Sequence, residues 1–131
     1  MTAPQFHMID DAAKPVAPYS HAVEQDGWVF VTGQIPNDPA DDDRPFPPDI
    51  DAQTRRVMDN LCIVLEGLGL GLENVLSARV FLTHFDEDYA AMNEAYASYF
   101  PPDGRPARTC IGVTALARGA RVEIDFIARR S

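Results

Sequence analysis

Cysteine, histidine and lysine are scarce in this chain. Its 131 residues hold two cysteines, Cys62 and Cys110, which excludes a secreted disulfide framework. The three histidines, His7, His21 and His84, have no second histidine or cysteine two to five residues away, so no metal site is expected. No apolar run reaches the roughly 18–20 residues of a membrane span. The start, Met1-Thr2-Ala3-Pro4-Gln5, lacks the basic and apolar regions of a signal peptide, and a cytoplasmic location is expected. There is no P-loop and no G-x-S-x-G elbow. Gly67-Leu68-Gly69-Leu70-Gly71 resembles a fragment of a dinucleotide loop, but it closes a helical pattern instead of opening one.

Positive charge is the other shortage. Eleven Lys and Arg face 20 Asp and Glu, a net charge of −9 that argues against nucleic acid and anionic membranes as partners. The imbalance is local. Residues 1–51 hold ten acids and only Lys14 and Arg44, whereas residues 105–131 hold six arginines against Glu123 and Asp125. The length fits one domain, and 46% hydrophobic residues suffice for a core.

Eight of the eleven prolines fall within residues 1–48. The segment 36–48 combines prolines with Asp38, Asp41, Asp42 and Asp43, which excludes a helix or central strand and predicts a solvated loop. Downstream, Val57, Leu61, Val64, Leu65 and Leu68 make the apolar stripe of a helix over 51–68, with Asp49 or Asp51 as cap. Tyr89, Met92, Tyr96 and Phe100 mark the apolar face of a second helix over 86–100, stopped by Pro101-Pro102.

Strand patterns surround these helices. Residues 22–24 and 28–32 flank Gln25-Asp26-Gly27, a hairpin signal. Residues 75–83, 108–114 and 121–128 are rich in β-formers, and a short strand is expected near 6–9. The order β-β-β-α-β-α-β-β predicts an α+β layer with both helices on one face of the sheet. The bare face then needs a cover, which points to a homo-oligomer.

Several polar residues stand where the pattern expects apolar ones. Arg108 opens a strand with Cys110 and Gly112 on its own face. Pairing 108–114 with 121–128 as a hairpin, with a four-residue turn at 114–117, sets Arg108 opposite Glu123. Asn93 lies on the apolar face of the second helix, and Tyr19 follows the rigid Pro15-Val16-Ala17-Pro18. These residues admit an anion site built on Arg108, but equally a surface ion pair and satisfied core groups.

The order of segments resembles the RidA/YjgF family of reactive-intermediate (imine/enamine) deaminases. The resemblance is carried by Pro18-Tyr19-Ser20-His21-Ala22-Val23, Val31-Thr32-Gly33-Gln34-Ile35-Pro36, Gln53-Thr54 with Asn60-Leu61, and Val80-Phe81-Leu82. It continues through Asn93-Glu94-Ala95-Tyr96, Pro106-Ala107-Arg108-Thr109-Cys110 and Val122-Glu123-Ile124, nearly the whole chain. The resemblance implies a chorismate-mutase-like subunit, a homotrimer with active sites between subunits, and hydrolysis of 2-imino and enamine acids to 2-oxo acids and ammonia without a cofactor. It implies that Arg108 grips a small carboxylate substrate, as a planar guanidinium fork does well. The resemblance further implies that Glu123 positions water, that Tyr19 and Asn93 bound the cleft and handle protons, with Tyr19 counted among the catalytic residues, and that Thr32, Gly33 and Cys110 contribute mainly through their backbone. Ala117 stands where the family often has Pro, which implies a looser turn. Alternatives within the resemblance are a pathway-specific enamine deaminase and a non-catalytic trimeric ligand-binding protein; the charge disfavours a ribonuclease.

Overall fold

The computed structural model describes residues 2–131. The elements follow the expected order: β1 (Gln5–His7), β2 (Ala22–Gln25), β3 (Trp28–Gln34), α1 (Ile50–Gly67), β4 (Val75–Leu82), α2 (Phe85–Ala97), β5 (Ala107–Gly112) and β6 (Val122–Arg129). Asp26 and Gly27 both have positive φ (53° and 85°), the geometry of the two-residue turn that joins β2 to β3. The Asp49 carboxylate accepts the Ala52 N–H at 2.7 Å and caps α1. At the other end Gly69, at φ 74°, lets the Leu70 N–H reach back to the Leu65 carbonyl at 2.8 Å. The glycine-rich run is therefore a helix stop.

The six strands form one sheet in the order β1-β2-β3-β6-β4-β5. All neighbours are antiparallel except β4 and β5, which are parallel and joined through α2. Both helices pack on one face. Val57, Leu61 and Val64 of α1 and Met92 of α2 join Val29, Val31, Val80, Leu82, Val122, Ile124 and Phe126 in a single core. On the other face Phe6, Val23, Phe30 and Ile127 stand in one cross-strand row with no layer over them. Phe6 is 70% exposed and Phe30 52%.

This topology overturns the expected hairpin. β5 and β6 are not neighbours: β4 lies between them, with Arg108 opposite Ala78 and Glu123 opposite Phe81. Burial explains the choice. Val122, Ile124, Phe126 and Ala128 of β6 are all fully buried and need the centre of the sheet. The sequence Arg108-Thr109-Cys110-Ile111-Gly112 offers no comparable apolar face, and β5 takes the edge. The four-residue turn expected at 114–117 is accordingly replaced by a longer connection containing a short 3-10 turn, Ala117–Gly119.

Two further expectations change. On α2 it is Asp88, 3% exposed, that is buried beside Met92 and Tyr96, while Tyr89 is 38% exposed. Asp88 is tolerated inside because Arg121 donates to both its oxygens, at 2.8 and 2.9 Å. The Arg121 N–H also donates to Gln53 Oε1 at 3.0 Å, so the start of β6 is clamped to both helices. The segment 36–48 is not simply solvated either. Pro36, Asn37 and Asp38 are buried, and the acids are matched by arginines: Arg44 to Asp38 at 2.7 Å and Arg118 to Asp42 at 3.1 Å. Asn60 in α1 donates from Nδ2 to the carbonyls of Ile35 (3.0 Å) and Asn37 (2.9 Å), fastening the loop to the core.

That last pair of bonds sets a prediction. Asn60→Ala strips two buried carbonyls of their donor and is expected to destabilise the protein by about 2–4 kcal/mol. Urea unfolding measures this; a change within experimental error would show that water replaces the amide.

Candidate active site

Arg108 emerges from the edge strand onto the helix-covered face. Its register partners Ala78 and Phe126 belong to the core. The guanidinium carbon lies 5.1 Å from the Tyr96 ring centroid and 6.0 Å from that of Tyr89, so two aromatic faces hold a cation at the rim of the core. Asn93 and Tyr96, three residues apart on α2, line the same hollow of about 280 Å³ as Arg108. Asn93 Oδ1 and the Tyr96 hydroxyl are buried without a hydrogen-bond partner among the described residues. Orphaned polar atoms beside an unneutralised guanidinium describe a place prepared for something polar, because leaving such groups unpaired costs free energy. The sequence placed Tyr96 on the apolar helix face and in the Asn93–Tyr96 motif without assigning it to the site; the i, i+3 spacing from Asn93 was the available signal.

Cys110 follows two residues along β5. Burial pushes its thiol up and Arg108 only partly offsets this, so it rests as a neutral thiol and not as a nucleophile. Its backbone is placed more suggestively. The Val113 N–H donates to the Leu82 carbonyl at 2.9 Å. Alternation along a parallel ladder then turns the amides and carbonyls of Arg108 and Cys110 away from β4, off the sheet edge.

Glu123 lies on the opposite, uncovered face. Between Val31 and Gln34 the pairing of β3 with β6 shifts register, and Thr32 and Gly33 form the bulge. A Cβ at Gly33 would collide with Glu123 Oε2, so glycine is required for the carboxylate to lie over this backbone. Burial raises the Glu123 carboxyl above its ordinary 4.5, and Asp125 on the same face adds to the effect. Beside it a hollow of about 390 Å³ is lined by Thr32, Gly33 and Ser77, together with Arg79 and Asp125, which pair with each other at 2.6 Å.

The segment that carries Tyr19 is tied to this bulge through its next two residues, Ser20 and His21. Thr32 donates from its N–H to the His21 carbonyl (3.0 Å) and from its hydroxyl to the Ser20 carbonyl (2.6 Å). The Tyr19 oxygen accepts the Val16 N–H at 3.1 Å, which leaves its own proton free. His21 organises the whole segment. Its Nδ1 accepts the Ile9 N–H (2.9 Å) and its Nε2 faces the Ala13 carbonyl (2.8 Å). A backbone N–H only donates and a carbonyl only accepts, so the two bonds together require the neutral Nε2–H tautomer. The sequence placed His21 in the Pro18–Val23 motif and excluded it as a metal ligand, but gave it no structural role.

The candidate residues thus fall into two groups. Arg108, Cys110 and Asn93 sit at the β5 edge and helix side; Thr32, Gly33 and Glu123 gather at the β3 bulge, and Tyr19 lies on the segment that Ser20 and His21 tie to it. One chain does not bring the groups together, because the sheet itself separates Arg108 from Glu123. A larger hollow of about 520 Å³, lined by Cys62, Leu72 and Phe100, holds none of these groups, and burial pushes its Cys62 thiol up to about 11.

The raised Glu123 carboxyl has a consequence for stability. A group protonated more readily folded than unfolded loses stabilisation as pH rises from 4.5 through its folded value. Glu123→Gln removes that loss. The variant should therefore gain melting temperature over the parent at pH 7 and not at pH 4; an equal difference at both would contradict the assignment.

The family model described as Endoribonuclease L-PSP matches residues 9–130. A RutC family protein of Pyrococcus horikoshii is 39% identical over 119 residues, covering 91% of this chain and 92% of its own. Among solved structures, a Rid family protein of unknown function from Yersinia pestis superposes with a TM-score of 0.90 at 34% identity, covering 98% of this chain and all of its own. TdcF of E. coli, solved with bound serine, gives 0.85 at 30% identity over 95% and 99% of the two chains. With the sheet order, the two helices and the sequence agreeing over nearly the full length, the chain belongs to the Endoribonuclease L-PSP family, the group of the RutC and Rid (RidA/YjgF) proteins.

Proposed function

We propose that the protein hydrolyses 2-imino and enamine acids to 2-oxo acids and ammonia, at sites formed between copies of the chain. The observation that carries the reading is Arg108: a guanidinium without an ion pair among the described residues, held between aromatic rings beside two orphaned polar atoms. It suits the bidentate grip of a small carboxylate. The bound serine of TdcF, another small molecule with a carboxylate, supports that class of ligand.

The separation of Arg108 from Glu123 supports a site shared by two copies. The uncovered face, with Phe6, Phe30 and Trp28 exposed, needs a partner, and the free β5 edge presents Arg108 and the Cys110 backbone. In the proposed homotrimer the bulge of one copy meets the β5 edge of the next. Arg108 then fixes the substrate carboxylate, and so the position of C2, relative to Glu123 and Tyr19 of its neighbour.

The chemistry needs little more. The C2 of a protonated imine is already electrophilic. Water adds to it as the Glu123 carboxylate takes one of the water protons. Glu123 returns that proton to the nitrogen and the C–N bond breaks; as the carbonyl forms, Glu123 takes the hydroxyl proton and passes it to the departing ammonia. Iminium and water become 2-oxo acid and ammonium. A carboxyl held above its ordinary value by burial is suited to both transfers. A net charge of −9 weighs against RNA as the substrate.

Generating 2-iminobutanoate in situ with threonine dehydratase and following its decay tests this. The protein should accelerate decay, and Arg108→Ala should lower kcat/KM by about 100-fold or more, the scale of losing a charge-assisted grip and its positioning. Glu123→Gln should lose turnover while still binding 2-oxobutanoate. No acceleration, or acceleration that survives Arg108→Ala, refutes the reading.

A further inference from the structure

Arginine is used economically in this acidic chain. Of its ten arginines, seven make ion pairs among the described residues: Arg44, Arg55, Arg56, Arg79, Arg118, Arg121 and Arg130. An eighth, Arg129, donates to the Asp26 carbonyl at 2.7 Å and lies over the Trp28 ring. Arg105 and Arg108 alone have neither a carboxylate nor a hydrogen-bond acceptor among the described residues. Both line the same hollow of about 280 Å³, with Asn93, Tyr96, Ala97 and Pro106, and no acidic residue lines it.

Two like charges converging on one small hollow repel each other, and with 20 carboxylates in the chain the lack of any at this spot is informative. Arg105 is exposed and solvated, while Arg108 is half-buried. A ligand with one anionic group on Arg108 and a second within reach of Arg105 relieves the repulsion and engages both. Arg105 precedes β5, so strand alternation does not throw it to the far face, and Pro106 fixes the chain between the two. The buried Asn93 oxygen and Tyr96 hydroxyl form the neutral polar wall against which the ligand lies.

We infer that Arg105 makes this hollow selective for dianionic substrates, namely 2-imino or 2-oxo acids that bear a second carboxylate on the side chain. The inference rests on the proposed reading of Arg108 as the grip on the first carboxylate, and it deepens that reading by naming the substrate class. Arg105 contributes to ligand affinity and is not assigned a part in bond breaking.

Calorimetric titration of the intact protein with 2-oxoglutarate and with 2-oxobutanoate at low ionic strength separates the two charges. The dicarboxylate should bind about 10-fold more tightly, the range of one charge-assisted contact at a partly exposed site. Arg105→Gln should bring the ratio close to one. Arg55→Gln, which removes the same charge from an exposed helix pair, should keep the ratio. A wild-type ratio near one, or a ratio that Arg105→Gln leaves standing or Arg55→Gln abolishes equally, overturns the inference. The same comparison with 2-iminoglutarate and 2-iminobutanoate, each released by an amino-acid oxidase, should show the preference in KM and not in kcat. Selective binding without turnover of either imine would uphold the dianion site and contradict the hydrolytic reading.

Discussion

Two helices cover one face of a six-stranded sheet, and the rest of the structure answers to that one-sided cover. It forces β6, with four fully buried side chains, into the centre against α1. It sends β5, which has little to bury, to the edge. It leaves Phe6, Val23, Phe30 and Ile127 in a bare row on the far side. A contiguous apolar row of this kind marks a surface that meets a partner. The proposed answer is a further copy of the chain, and the same contact would assemble the site. Packing and chemistry are then consequences of one constraint.

Charge follows a similar economy. Most of the excess acid lies in the first 51 residues, and the acidic loop is tamed locally by Arg44, Arg56 and Arg118. Arg118 sits at positive φ (56°) in the turn before β6, a conformation that its bidentate pairing with Asp42 helps to hold. The loop is thus a strut between α1 and the entry to β6. With the other arginines spent on such struts, the cations of the β5 edge stand out as the ones free to meet a ligand.

The sequence showed the elements, their order and the one-sided packing because periodicity records which residues are buried. It did not show strand adjacency. Nothing in a local pattern says that β4 will slide between β5 and β6, so the expected Arg108–Glu123 pair was wrong although both residues carry the proposed chemistry. The clue was compositional: a strand reading Arg-Thr-Cys-Ile-Gly cannot sit at the centre of this sheet. Residues that act through geometry were illegible for the same reason. His21 became informative only when both ring nitrogens acquired backbone partners, and Tyr96 only when its buried hydroxyl was found without one.

The central claim is that a working site takes Arg108 from one copy and Glu123 from another. Mixing inactive Arg108→Ala and Glu123→Gln chains after co-refolding tests it most directly. Random assembly pairs an intact Arg108 edge with an intact Glu123 bulge at roughly a quarter of the interfaces, and 2-iminobutanoate hydrolysis should return to about that fraction of wild type. A mixture no more active than either variant alone would contradict the account.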